Sequence, residues 1–516
     1  MINVFNIAKL GVSVYFCGMF VRLKVNRSGS TSVQIVQKVG RINRVLKVVG
    51  CSFDESEIAQ FKQRAHYEKE RMYGATLFDP IEKEDFQEID NDCIQVMGPE
   101  LIIGKLYDKI GFNQLKEPLL KQLVLSRLTS AGSKLRLSEH LSVTGKANLS
   151  VYSIYRFLDK ISAHYKHQIE QISFDYTKQV LGGSIGVVFY DMTTLYFESS
   201  QPDELRIPGF SKDGKHQHPQ IFLGLLVGRN GYPIGYDIFE GNIFEGHTLI
   251  PVIERFEKQF SIGYPIVVAD SGLLTKDNTE TLTALGYQFI LGAKIKSEKQ
   301  WIMDLIEQQT WEDGVTYEIH KEDGTRLIIE YSANRAKKDA FNRERALKKL
   351  EQQIDSGKLT KGNINNRGYN KYLRMEGDVS ISIDYQKIEK SIFWDGLKGY
   401  ITNTKLSIKE IITQYKELWN IERAFRISKT DLQIRPIYHR KRNRIEVHIC
   451  ISFMAYLIYK ELERLLKTNN VELSIEKAIE QINNMYEIKI PNQNGTFNIF
   501  RPKNNYWQQI ICNLFR

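Results

Sequence analysis

The chain has 516 residues, with 71 Lys and Arg against 61 Asp and Glu for a formal net charge of +10, and is 42% hydrophobic and 26% charged. That balance excludes a disordered polyampholyte and leaves room for about three domains at roughly 150 residues each. The positive surplus points to a polyanionic partner such as nucleic acid, because net charge governs association more than fold.

The five cysteines, Cys17, Cys51, Cys93, Cys450 and Cys512, form no CxxC pair. A zinc ribbon or disulfide framework is thereby excluded, and a cytosolic setting with reduced thiols is expected. No apolar run reaches the roughly 18–20 residues needed to span a bilayer, so no membrane is expected. At the N-terminus, Val12 to Gly18 is apolar but short, and it lacks the cleavage site of a signal peptide. Regular patterning starts only after it, so residues 1–18 read as a start-site artefact with Met19 as the alternative start.

From Phe20 to Gly50 apolar and polar residues roughly alternate around the turn Asn26-Arg27-Ser28-Gly29-Ser30, which predicts a small antiparallel sheet. Asp54 or Ser56 then caps a helix running to about Arg71. The stretch from Pro99 to Ile161 predicts several short helices joined by tight turns, the pattern of a helix-turn-helix and equally of any small bundle. Its candidate DNA contacts are Lys134, Arg136, Lys146 and Arg156. Residues 19–180 are thus expected to form a strand-rich segment followed by a helical DNA-binding region.

After Gly182-Gly183 the texture changes. Ile185 to Tyr190 is a nearly continuous apolar run, as in a strand buried on both faces. Ile221 to Val227 and Tyr232 to Phe239 follow, joined by the hairpin signal Arg229-Asn230-Gly231. Next come a helix from Thr248 to Phe260, a strand Ile266 to Ala269, a helix Lys276 to Leu285 and a strand Tyr287 to Leu291. Three antiparallel strands followed by helix, strand, helix, strand is the order of an α/β, ribonuclease H-like mixed sheet, expected over residues 181–295 and 400–466.

Residues 296–399 interrupt that pattern as an insertion domain. Between Ala333 and Arg374 there are 12 Lys and Arg against 4 Asp and Glu, an excess that suits a phosphate-tracking surface better than a merely solvated helix. Lys337, Lys338, Arg343 and Arg345 lie on its basic helix, Asn334 to Gln353. A long helix is expected from Ser407 to about Asp431, another from Arg444 to Leu466, and a C-terminal region over 467–516.

Two carboxylates close apolar strands: Asp191 follows Val187-Val188-Phe189-Tyr190, and Asp270 follows Ile266-Val267-Val268-Ala269. Burial there is costly unless a cation or hydrogen bonds compensate it, and in the expected sheet these strands are neighbours. On the helix after Ser407, Tyr415, Glu422, Arg426 and Lys429 recur on one helical stripe. Three oxygen ligands with no Cys or His pattern suit Mg²⁺ or Mn²⁺, and two such ions can drive in-line phosphodiester displacement.

The motif Tyr415-x₂-Leu418-x₃-Glu422-x₆-Lys429 resembles the Y-x₂-R-x₃-E-x₆-K signature of DDE transposases of the insertion-sequence-4 superfamily. The pieces Asp191-Met-Thr-Thr194, Gly241-Asn242 with Glu245, Asp270-Ser-Gly272, Arg435-Pro436-x-Tyr438-His439 and His448 also fit, in order, from Met19 to about Leu457. The resemblance is closest to the 1634-like group of bacterial insertion sequences. It implies a transposase that binds terminal inverted repeats, cuts at the element ends and joins the 3′ ends to target DNA, as a dimer in the synaptic complex. The expected place of work is the bacterial cytoplasm, at the nucleoid. Asp191, Asp270 and Glu422 would be the catalytic, metal-binding triad, and the insertion before Glu422 would be mostly β. Tyr415, Arg426 and Lys429 would meet phosphates. One departure stands out: the signature Arg is Leu418, so its contact would pass to another residue such as Arg423 or Arg426. A ribonuclease H-fold nuclease without joining activity and a non-catalytic DNA-binding derivative are the alternatives.

Weaker candidates remain. Trp301 could stack on an unpaired base or be a core residue of the inserted sheet. Lys212 and Lys215 could meet DNA near the cut or be solvated. His216 and His218 fit satisfied loop histidines better than a metal pair. Glu245 could support the metal site or simply favour a helix N-terminus.

Overall fold

The computed structural model describes residues 19–39, 42–72, 94–143, 149–161, 163–198, 201–211, 214, 217–359, 365, 368–376, 380–491 and 497–515. Residues 1–18, Lys146, Lys212, Lys215 and His216 lie outside the described residues. The chain divides into two compact units between Ile89 and Asp90.

In the first unit, β1 (Met19–Val25), β2 (Thr31–Val39) and β3 (Ile42–Ser52) form an antiparallel sheet in that order, followed by α1 (Glu55–Met72). Val33 and Ile35 of β2 and Ala65 of α1 are fully buried against one another. Asp54 caps α1, its Oδ1 accepting from the backbone N–H of Ser56 at 2.8 Å and of Glu57 at 3.1 Å.

The second unit begins with β4 (Ile94–Val96) and five helices: α2 (Lys105–Ile110), α3 (Pro118–Thr129), α4 (Lys134–Val143), α5 (Val151–Lys160) and α6 (Ala163–Val180). Then come β5 (Val187–Tyr196), β6 (Gln220–Val227), β7 (Pro233–Glu240), α7 (Leu249–Phe260), β8 (Ile266–Ala269), α8 (Lys276–Ala284) and β9 (Phe289–Ala293). The hairpin between β6 and β7 turns at Asn230 (φ 59°) and Gly231 (φ 75°), where two positive φ angles match the twist of the strands. The middle of the chain holds α9 (Gln300–Glu307), β10 (Thr316–His320), β11 (Arg326–Tyr331), α10 (Ala333–Asp355), β12 (Leu373–Glu376), β13 (Ser380–Ile383), α11 (Tyr385–Ile392) and β14 (Leu397–Thr402). Last come α12 (Ile408–Lys416), α13 (Trp419–Thr430), α14 (Arg442–Thr468), α15 (Ile475–Asn483), β15 (Tyr486–Pro491), β16 (Phe497–Phe500) and α16 (Tyr506–Asn513).

One eight-stranded sheet organises this unit, in the order β10-β11-β14-β9-β8-β5-β6-β7. The pairs β5–β8 and β8–β9 are parallel and the other pairs antiparallel. A mixed sheet opening with three antiparallel strands fits the ribonuclease H-like core expected from the element order. Both faces are covered. Val188, Tyr190, Val267 and Phe289 pack against α7 on one side, and Phe189, Val268, Ile290 and Tyr400 share the other side with α13 and α14. The middle of α14, from Val447 to Tyr459, is buried on every side, as a mostly apolar helical stretch must be.

Three expectations are corrected. The helices between 99 and 180 are not a separate module: Ile103, Leu123 and Ile154 belong to the same hydrophobic cluster as Phe189, Val268 and Ile451, so residue 180 is no seam. The insertion is not mostly β. Its strands β10 and β11 extend the central sheet through β14, and the rest is the helices α9, α10 and α11 with the short β12–β13 hairpin. The long helix expected from Ser407 to Asp431 is two helices. At Glu417 and Leu418 the N–H groups bond three residues back, to Gln414 and Tyr415, and this tight turn separates α12 from α13.

Candidate active site

β5 does not end at Tyr190. Its pairing with β8 stops there, at Tyr190 opposite Ala269, while its pairing with β6 runs on to Tyr196. Asp191 therefore lies inside β5, at the point where its edge is released by the shorter β8, and Asp270 is the first residue beyond β8. The two occupy the next register position of adjacent parallel strands, which run roughly 5 Å apart. Strand alternation puts both on the face shared with Phe189 and Val268, the one α13 covers.

Each aspartate has one oxygen tied locally: Asp191 Oδ1 accepts from Met192 N–H at 2.7 Å and Asp270 Oδ1 from Ser271 N–H at 2.6 Å. Tyr415, buried at the end of α12, donates its hydroxyl to Asp270 Oδ1 at 3.2 Å. It reaches there because Gly292 on β9 has no side chain, and a methyl group at that position would collide with the hydroxyl. Burial pushes the Tyr415 phenol well up, and Asp270 and Asp191 push it further.

Glu422 is exposed in the first turn of α13, and Arg426 and Lys429 follow it on the same helical face. Tyr415 stands on the preceding helix, α12, and meets the same acids through its hydrogen bond to Asp270. Leu418 is buried in the core, so it is a packing residue with no route to phosphate. Arg423 is no substitute either, since its guanidinium is held by Glu463 at 2.6 Å. Among the named arginines, exposed Arg426 remains.

Four cations that the sequence reading missed stand near these acids. Lys398 of β14 lies 4.4 Å from the Tyr415 ring centre and 5.7 Å from that of Tyr400. Burial and then Arg335 push its ammonium below the usual range, against the pull of Asp270, Glu330 and Glu422. Lys398, Lys294, Lys296 and Arg335 line a cavity of about 430 Å³ that opens at Asp270. Lys296 is likewise pushed down by burial and then by Lys371. The one signal in the sequence was a lysine inside the apolar run Leu397 to Ile401.

The donor set, three carboxylates without Cys or His, has the chemistry of a hard divalent cation. In this conformation the acids share a neighbourhood without closing on a point: among the described residues no group of three His, Cys, Asp or Glu side chains is placed to hold a metal ion. Glu245 starts a single 3₁₀ turn, and its Oε2 lies against Gly272, two residues past Asp270. His218 is a satisfied loop histidine, its Nδ1 3.4 Å from the carbonyl of Phe197. Trp301 lies on α9 and is 39% exposed, so it is not a core residue of an inserted sheet.

Of the basic helix, Lys337, Lys338 and Arg345 are exposed, whereas Arg343 is clamped by Asp395 at 2.6 Å with 12% of its side chain exposed. Neutralising Lys337, Lys338 and Arg345 together should therefore flatten the salt dependence of DNA binding by about 0.9 per lost phosphate contact. Arg343→Gln should instead lower the melting temperature, because it leaves Asp395 without its partner. Titrations of duplex DNA at several salt concentrations, with thermal melts, separate the two behaviours.

A mixed sheet with paired aspartates on adjacent parallel strands and a glutamate on the covering helix is the arrangement of a metal-dependent polynucleotidyl transferase. The transposase DDE domain family matches residues 182–458, more than half of the chain, and the chain belongs to that family. It is a DNA transposase of a class that uses divalent metal ions. No curated protein matches the sequence. Similar solved structures include a piggyBac transposase synaptic complex with hairpin DNA, at 9% identity over 75% of this chain and 76% of that one, with a TM-score of 0.39. Another is a Mos1 transposase paired-end complex with the left transposon end, at 14% identity over 44% of this chain and 66% of that one, with a TM-score of 0.15. Among the described residues no helix is long and apolar enough to cross a membrane.

Proposed function

We propose that the protein is the transposase of a bacterial insertion sequence of the insertion-sequence-4 superfamily, 1634-like group. In this reading it works as a dimer that pairs two terminal inverted repeats at the nucleoid, cuts there and joins the 3′ ends to target DNA. The observation that carries this reading is the pair Asp191 and Asp270, one register step beyond Tyr190 and Ala269 on adjacent parallel strands, on the face covered by the Glu422 helix. With Glu422 they would hold Mg²⁺ or Mn²⁺, which when bound activates a water or 3′-hydroxyl and stabilises the leaving oxygen. Tyr415 orients the Asp270 carboxylate through its hydroxyl. Lys398, within reach of the charges of Asp270 and Glu422, supplies positive charge for the phosphate of the scissile bond. Arg426, Lys429 and the exposed cations of α10 hold the DNA backbone on either side.

Incubating the full chain with labelled element ends, Mg²⁺ and a circular target is expected to yield both cut ends and end-joined product. Cleavage without any joined product would leave a nuclease and refute the transfer step.

A further inference from the structure

A second cavity, of about 600 Å³, lies at the start of α4 and is lined by Arg127, Lys134, Arg136, Arg435, His439 and His448 with no carboxylate among its lining residues. Four of these groups are buried: Arg127 is 4% exposed, Lys134 5%, His448 6% and His439 8%. Lys134, expected as a DNA contact, is thus inside the protein, and among the described residues its ammonium has no hydrogen-bond or ion-pair partner. The other groups are arranged around it. His448 donates from Nε2 to the carbonyl of Ile434 at 2.8 Å and presents Nδ1 to Arg127 Nη2 at 3.3 Å, so it is a neutral imidazole that orients the guanidinium. Asp159, the acid that acts on His439, is taken by Arg444 at 2.6 Å and is not among the residues lining the cavity.

Burying two cations side by side without an opposite charge is costly, and a protein keeps such a pair where an anion completes it. The mutual strain shows in the groups themselves. Burial and then Arg127 drive Lys134 far below its ordinary range, and burial and then Lys134 hold His439 at about 4. The N-terminus of α4 belongs to the same wall: Ser133 Oγ caps the N–H of Arg136 at 3.2 Å, which leaves the N–H groups of Lys134 and Leu135 as a seat for phosphate oxygens. The cavity also has a fixed relation to the candidate active site. Phe197, just past the end of β5, bridges to Ile437, and Arg435 lies over the ring of Tyr196. At roughly 3.4 Å per residue that bridge stands on the order of 20 Å from Asp191 along the strand.

We propose that this cavity binds a backbone phosphate of the DNA, away from the bond being cut, through Lys134, Arg127 and the α4 N-terminus, with Arg136 at its mouth. The identity of the ligand rests on the transposase reading; the anion site rests on the cavity. In phosphate-free buffer at fixed ionic strength, Lys134→Met is expected to melt at a higher temperature than the native chain, since it removes an uncompensated buried charge. Inorganic phosphate should raise the melting temperature of the native chain and leave the variant unmoved. The variant should bind duplex DNA about tenfold more weakly, with a salt slope shallower by about 0.9. A lysine kept for packing alone would give a lower melting temperature and an equal response to phosphate, and either result overturns the proposal. A phosphate response lost while DNA affinity and slope stay unchanged would make the ligand a free anion and overturn the DNA assignment. A native chain that binds no DNA would refute the transposase reading, whereas DNA binding insensitive to Lys134→Met refutes this site alone. If Lys134→Met does not fold, Arg136→Gln at the exposed mouth must weaken both responses, and two unchanged responses count against the proposal.

Discussion

Asp191→Asn, Asp270→Asn and Glu422→Gln are each expected to lower single-turnover cleavage of element ends by on the order of 10³-fold or more, with end binding retained. Each change keeps the shape of the side chain and removes a charge that would hold a divalent ion. The two aspartates make a second, opposite expectation. They stand at neighbouring positions on adjacent strands, so their like charges repel in the folded protein, and neutralising one should leave the melting temperature unchanged or raise it. Were Asp270 only the residue that turns the chain after β8, through its bond to Ser271 N–H, its loss would lower the melting temperature and spare cleavage. Parallel measurement of cleavage rate and thermal melting in all three variants separates a charge kept for chemistry from one kept for folding.

Glu463→Ala is expected to cost about 3–5 kcal/mol of folding stability, the range for removing one partner of a buried ion pair. Glu463 on α14 is 5% exposed and receives Lys460, Arg423 and Lys467 at once. Burial alone would raise its carboxyl, but the hydrogen bond and charge of Lys460, with Arg423 and Lys467, outweigh it and hold the group at about 2. Its folded value is thus below the ordinary 4.5, so the stabilisation is fully present above about 4.5 and is lost as the pH falls toward about 2. Urea unfolding between pH 2 and 6 should show the native chain weakening across that window and the variant weakening less. An equal loss in both would mean that Glu463 does not carry the acid sensitivity. The same network anchors α13 to α14 through Arg423, next in sequence to Glu422, so the variant should also cleave more slowly without losing metal ligands.

The parts of this fold that were legible in the sequence are those written locally. Strands β8 and β5 announce themselves as apolar runs because both faces are buried, and Asp270 stands out as the first charge beyond one of them. The hairpin at Asn230-Gly231 is fixed by the residues that tolerate positive φ. The division of α12 from α13 was not legible, because Glu417-Leu418 contains no Gly or Pro and both residues favour helix. The burial of Lys134 was not legible, because a lysine is ordinarily exposed and only the assembled cavity encloses it. The membership of β10 and β11 in the central sheet depends on β14, whose pairing with β11 joins Arg326 to Thr402 across a long intervening segment, and no local pattern encodes that partner.

That pairing gives the protein a ruler. α10 is pinned to the segment before β14 by Arg343 on Asp395, by Gly396 N–H on Asp339 and by Ser332 N–H on the Gly396 carbonyl. β14 in turn is registered on β9, one strand from Asp270. A slip of one residue in this register would turn every side chain to the wrong face, so the smallest tolerable slip is two residues. At about 3.4 Å per residue that is nearly 7 Å, close to two base-pair steps of B-form DNA. Where DNA contacts both the basic helix and the paired aspartates, the distance from grip to cut is quantised by backbone hydrogen bonds. Changing the cutting offset in a relative of this protein would therefore call for strands to be re-registered, two residues at a time, before any DNA-contacting side chain is altered.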